Sequence, residues 1–454
     1  MIDSSLPTDN DLSANPFHVL GATTRDNLTK ISELADERAL LVDPDDCQKA
    51  RAELANPRSR LSAEIAWLPG VSPRRALATV EAVGDEDSDF SELPALAMAN
   101  VLSARLAFVA NRENAILSSL FDLAGAVEAV DPESVLRDIN EDRSVAGIPL
   151  VRDEETVLSE LAARRRRFRD VTTRVLDNLP TKSLVRVVTE LAAKSTSGGS
   201  IHAPALIEDI VDHYEAAAQP FLKGESENIE RVLGQIRTQS SRGGVALDKS
   251  LESLKALIAN WSLVSKPMQL VCRSKGIDHP ASTSIAFEIR SLSLEMNNDR
   301  GKPEISAKLT ELVKAEFHLL SVFSERAAED ESALTDILSN REQAKRSQEE
   351  FERSLSYSAD VGAVFKERVE ISAAGLRWKG RFIKLDAMDR MRWGGTRHSV
   401  NGIPTGTTYE IHVGAGASTI DISLRNQTTF SELIDRLWRG VGFRIHRSKL
   451  RQRR

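Results

Sequence analysis

Apolar residues recur every three or four positions along most of this chain, and every second position near its C-terminal end. The first spacing lines one face of a helix and the second one face of a strand. Leu28, Ile31, Leu34, Ala35 and Leu41 fall on one helical face, with Thr24 as the candidate cap and Pro44 as the stop. Cys47, Ala50 and Leu54 mark a short second helix, and Asn56-Pro57 opens a third that carries Leu61, Ile65 and Leu68. Helical spacing continues near 94–110, 112–129, from Asp131-Pro132 onward, and over 153–178, where Pro180 interrupts it. Further helices fill 203–360, broken at 240–245 and around Asp278-His279-Pro280. Two of them form a hairpin near 281–297 and 303–325, the unit from which helical-repeat stacks are built, although no clean 34-residue repeat is present.

From Val369 the period falls to two. Val369/Ile371, Leu376/Trp378, Ile383/Leu385, Met391/Trp393, Tyr409/Ile411/Val413 and Ile420/Ile422/Leu424 predict strands, with the hairpin dipeptide Asn401-Gly402 between two of them. A last amphipathic helix carries Phe430, Leu433, Ile434, Leu437, Trp438 and Val441, and Thr429 with Glu432 suggests a capping box. The pattern therefore predicts a mainly α chain with a helical-repeat-like middle. A small C-terminal antiparallel β domain, closed by one helix, follows it. The segments divide into a disordered leader (1–14), a helical unit (15–70), a helical domain (94–194), a repeat-like domain (203–360), the β domain (366–443) and a basic tail (444–454). STSGGS, 195–200, reads as a flexible joint, and 326–356 as a solvated helix leading into the β domain.

Composition adds limits. The chain has 454 residues, 41% hydrophobic and 28% charged, with a net charge of −7, so a whole-surface nucleic-acid binder is excluded while a local basic patch is not. Two cysteines, Cys47 and Cys272, support neither a disulfide framework nor a zinc site and point to a reducing cytoplasm. No run of about 18 apolar residues predicts a membrane span. The eight histidines show no ligand spacing, VGAGAS (413–418) sits in a hairpin turn, and no phosphate loop or nucleophile elbow occurs, so neither a cofactor, a metal nor an enzymatic activity is expected.

Three stretches carry candidate interaction chemistry. The first is the N-terminal unit. NPFHVLGATT (15–24), ADERALLVDPD (35–45) and ANPRSRL (55–61) stand in the order of the corresponding stretches of a J-domain, which the unit resembles over about 55 residues. The resemblance implies a J-like fold and makes Asp43, Pro44 and Asp45 the counterparts of the His-Pro-Asp tripeptide that stimulates DnaK-type ATPases. Asp43 supplies no imidazole and the following segment is short; Glu33, Asp36 and Glu37 acidify the preceding helix against Lys30 and Arg38, which opposes docking to an acidic chaperone surface. The second is 392–411, RWGGTRHSVNGIPTGTTYEI, within a domain that resembles the pleckstrin-homology superfold, especially bacterial versions paired with a J-like start. Trp393, Arg397, His398 and Asn401 are candidates for a recognition loop there, or the segment is simply a long hairpin with Trp393 in the core. Arg377, Lys379, Arg381, Lys384, Arg390, Arg392 and Arg397 form a solvated sheet face or a surface for an acidic partner.

The third is the tail, RIHRSKLRQRR, with Arg447, Lys449, Arg451, Arg453 and Arg454, a disordered run able to bind nucleic acid, an acidic protein or an anionic membrane. RRRRFR (164–169) reads as a solvated helix surface, with Glu160 spaced to pair Arg164. Together these features predict a cytoplasmic, non-enzymatic scaffold or adaptor that contacts one or more proteins in a bacterial assembly. The resemblance adds a chaperone-like ATPase or a defence operon as the setting. The alternatives are an active J-domain co-chaperone and a polyanion binder acting through the tail.

Overall fold

The computed structural model describes residues 11–85, 88–109, 112–241, 244–361, 366–401, 403–441 and 450–453. The chain divides into two compact units, 1–334 and 335–454. The first is all helix among its described residues. It opens with α1 (Pro16–Leu20), α2 (Leu28–Arg38), α3 (Pro44–Ala55), α4 (Pro57–Ile65) and α5 (Pro73–Glu81). It continues with α6 (Ala95–Arg105), α7 (Glu113–Glu128), α8 (Pro132–Ala146), α9 (Glu154–Asp177) and α10 (Thr181–Ser195). Long helices follow: α11 (Ala205–Gln239), α12 (Val245–Ser274), α13 (Pro280–Asn298) and α14 (Pro303–Glu316). A further helix, α15 (Ser321–Leu355), crosses from the first unit into the second.

Proline starts many of these helices, since its missing N–H is an orphan at the first helical position anyway. Pro16, Pro44, Pro57, Pro132, Pro280 and Pro303 all stand there, preceded by Asn15, Asp43, Asn56, Asp131, His279 and Lys302. One buried apolar cluster runs from Leu12 to Phe323, so the helices of the first unit share a core.

Several local expectations change. Thr24 does not cap α2. Asn27 does, and the Thr24 hydroxyl donates to Asp142 at 2.5 Å, tying the loop to α8. Pro44 begins α3 rather than ending α2, which stops at Arg38. Residues 195–200 are an ordered helix end rather than a flexible joint. Thr196 is fully buried, its hydroxyl accepts from the Gly199 N–H at 2.9 Å, and Gly198 and Gly199 take the positive φ such a closure demands. The end of the predicted leader is packed too, with Leu12 buried and Asp11 paired to α9; residues 1–10 lie outside the described residues.

The second unit is the predicted small β domain. A sheet of β1 (Tyr357–Val361), β2 (Glu367–Ser372), β3 (Gly375–Trp378) and β4 (Arg381–Lys384) is antiparallel in simple order. A second sheet has the order β7-β6-β5-β8, from β5 (Arg390–Val400), β6 (Ile403–Ala415), β7 (Ser418–Leu424) and β8 (Leu450–Arg453). The helix α16 (Gln427–Val441) packs Leu433, Leu437 and Val441 onto a core of Val369, Ile371, Leu376, Ile411, Val413, Ile420 and Ile422. Its cap is Asn426, which accepts from the Thr429 N–H at 3.1 Å, in place of the expected Thr429 box. The sheet begins at β1, earlier than the alternation at Val369 suggests. Tyr357, Ala359 and Val361 do alternate, but only three apolar residues do so, directly after a charged helix.

Candidate functional site

The segment 392–411 forms neither a loop nor a compact turn. Strands β5 and β6 pair from Arg390↔Gly414 out to Val400↔Ile403, with a register shift between His398 and Ser399. β7 flanks β6 only from Tyr409 onward, and β8 flanks β5 only from Met391 to Gly394. Among the described residues, 395–400 and 403–408 therefore pair with each other alone. At ~3.3 Å per residue, this two-stranded arm reaches about 20 Å past the sheet.

The arm's root is held by aromatic contacts. Tyr409 stacks on Phe430 with ring centroids 4.7 Å apart, and Trp393 meets Trp438 edge-on at 6.2 Å. Gly395 lies directly across from Tyr409, where a side chain would crowd the ring. Trp393 is half-buried, so it serves as a wall of the α16 seat more than as a recognition residue. Arg397 and His398 are exposed farther out, and His398 Nε2 lies 2.9 Å from the Thr408 hydroxyl. Asn401 takes φ 54° at the tip, the left-handed backbone that Asn tolerates in a tight hairpin. The closing pair, Val400 and Ile403, is 62% and 69% exposed. No acidic residue occurs between Asp389 and Glu410.

Asp43, Pro44 and Asp45 form a helix start. The Asp43 carboxylate accepts from the Asp45 N–H at 2.9 Å, and Asp45 and Asp46 fill the first turn of α3, where the helix dipole favours anions. The corner before it leaves Leu40, Leu41 and Val42 exposed by 86%, 77% and 42%. Leu41, expected on the buried face of α2, lies beyond the end of that helix. Asp36, Glu37, Asp43, Asp45 and Asp46, which flank this apolar trio in sequence, are exposed as well.

The RRRRFR cluster is a solvated surface only in part: Arg165, Arg166 and Arg169 are exposed, while Arg164 and Arg167 are drawn inward. Arg164 is buried, donating through Nε to Asn100 at 2.7 Å and through Nη1 to Asp11 at 2.8 Å, with its guanidinium over Phe168. Arg167 chelates the same Asp11. Burial works to raise the Asp11 carboxyl, yet the hydrogen bonds and charges of Arg167 and Arg164 hold it below its ordinary value. Glu160, the expected partner of Arg164, accepts from Ser62 instead. A second buried knot joins Arg60 and Arg143 to the shared carboxylate of Glu64 at 2.9 and 2.8 Å.

One grouping has the residue types of a hydrolytic triad. His279 Nδ1 lies 2.8 Å from the Ser282 hydroxyl and its Nε2 lies 3.6 Å from Glu215. Ser282 is fully buried, and its oxygen already accepts from Trp261 Nε1 and Gln269 Nε2, each at 3.1 Å. His279 also caps α13. Its imidazole is held below its usual pKa by burial, against the pull of Glu215. His279 and Ser282 are buried and tied into the start of α13, while the Glu215 side chain reaches the surface. Burial raises the Cys272 thiol, so it is no ready nucleophile, and Cys47 is buried in the α3 face. No group of three metal-ligating side chains occurs among the described residues, and no helix described is long and apolar enough to cross a membrane.

The basic tail divides. Leu450–Arg453 form β8, parallel to β5, with Arg451 opposite Arg392 and Arg453 opposite Gly394. A disordered run was expected there. Backbone hydrogen bonds make this pairing, although Arg451 opposite Arg392 places like charges side by side. Arg447, Lys449 and Arg454 lie outside the described residues.

Charge is distributed unevenly along the chain. Residues 1–150 carry 26 acidic and 13 basic side chains, a net of −13, whereas 335–454 carry 14 and 22, a net of +8. No family model, curated protein or solved structure matches the chain.

Proposed function

We propose that this protein is a non-enzymatic adaptor that works by holding other proteins, through the projecting arm of its C-terminal unit and the acidic corner of its N-terminal unit. The observation that carries this reading is the arm. The arm extends about 20 Å with an apolar tip, and among the described residues its strands pair only with each other; such free edges recruit partner chains. The resemblance of residues 15–61 to a J-domain, and of the β unit to a pleckstrin-homology domain, supports an origin among chaperone-associated bacterial assemblies. A cytoplasmic setting agrees with the paucity of cysteine.

An active co-chaperone is disfavoured by chemistry at Asp43. Its carboxylate is engaged by the Asp45 N–H, and five acids crowd the corner. Assaying ATP hydrolysis by a DnaK-type chaperone with and without the protein decides this point. We expect no stimulation, and stimulation abolished by Asp45→Ala would restore the co-chaperone reading. The polyanion reading draws on the +8 charge of residues 335–454. Heparin or nucleic-acid binding that falls steeply with salt, and is lost when 444–454 are removed, would favour it over the adaptor.

A further inference from the structure

Two exposed apolar patches, one in each unit, carry opposite charged surroundings. At the α2–α3 corner, Leu40, Leu41 and Val42 lie within the segment 36–46, which holds Asp36, Glu37, Asp43, Asp45 and Asp46 against the single base Arg38. At the arm tip, Val400 and Ile403 lie beside Arg397 and His398, in a stretch with no acid between Asp389 and Glu410. Each patch has the make-up of an interface: an apolar centre with a charged rim. Their rims are complementary in sign, and the parent segments amplify the match at −13 and +8. Arg38 turns away from the corner, donating to the Val19 carbonyl at 3.3 Å; Arg51, 3.9 Å from Asp36, offsets one of the five acids.

We propose that the arm tip docks on the acidic α2–α3 corner of a second copy of this chain, giving head-to-tail self-association. This rests on the adaptor reading but can fail without it, since a monomer that captures other proteins overturns self-docking alone. The contact is heterologous, because the two surfaces differ. Each pair leaves one arm and one corner unused, so copies add on until a ring closes or a filament grows. Apolar contact at the centre supplies the attraction, and the rims set orientation and salt sensitivity.

The test uses the full chain in sedimentation velocity, with circular dichroism to verify folding. The wild type is expected to gain mass with concentration, and raising salt from about 50 to about 500 mM is expected to shift the midpoint upward on the order of tenfold. Leu41→Lys spoils only the corner and Ile403→Asp only the arm, and each variant alone is expected to remain monomeric. An equimolar mixture restores assembly at least to the dimer, because one intact arm meets one intact corner. A wild type that stays monomeric overturns the proposal. So does self-association indifferent to both variants, or a mixture of two folded variants that stays monomeric. If Ile403→Asp loses only heparin binding and leaves self-association unchanged, the arm serves a polyanion and not a second copy.

Discussion

Single residues carry several of the protein's local decisions. Asp11 is one, since it joins a segment before α1 to the buried Arg164 on α9. Replacing it with Ala leaves that guanidinium short of a partner, and a loss of about 2–3 kcal/mol is expected for hydrogen bonds to charged groups. Denaturant unfolding followed by Trp67 and Trp261 fluorescence reads this, and a variant as stable as the wild type would show that the anchor contributes nothing. His279 gives a pH signature. Its folded pKa lies below the unfolded value near 6.5, so the unfolded chain binds more protons in that window. The stability it contributes is complete above pH ~6.5 and is lost as pH falls towards the lowered folded value. His18, also lowered by burial and by Arg38, acts in the same direction. His279→Gln is therefore expected to flatten the acid side of the stability profile without abolishing its slope. An unchanged profile would place the proton uptake elsewhere. Neither residue's role was legible in the sequence, because Asp11 sits in a polar leader and its partner Arg164 among four arginines. Long-range pairing leaves no periodic trace.

Elements were far easier to read. Helix starts at Pro57, Pro132 and Pro303 follow from proline's fixed φ, and the strands follow from alternation, since both signals are local. What failed were choices between neighbouring candidates. Thr24 and Asn27 both resemble caps, as do Thr429 and Asn426, and the backbone geometry selects the Asn in each case. Asn426→Ala should therefore cost about 1 kcal/mol in the second unit, whereas Thr429→Ala should cost little. The Trp393–Trp438 pair reports α16 docking by fluorescence, and equal effects of the two substitutions would contradict the assignment. The arm is the element the sequence half revealed. The Asn401-Gly402 dipeptide marks its turn. Its projection depends on where β7 and β8 stop, which no local pattern encodes.

At the scale of the molecule, a helical unit and a small β unit bear opposite charge, and each displays an apolar patch set in its own sign of charge. In the first unit the Ser282 hydroxyl is engaged inside the protein by Trp261, Gln269 and His279, which ties α12 to the start of α13. The most direct measurement is affinity capture from the host cell with three folded baits: the wild type, a double variant Arg397→Glu/Ile403→Asp in the arm, and Leu263→Ser, a control at an exposed position on α12. The account predicts a defined protein set with the wild type and the control, and loss of specific members with the arm variant. Identical sets for all three baits would contradict it.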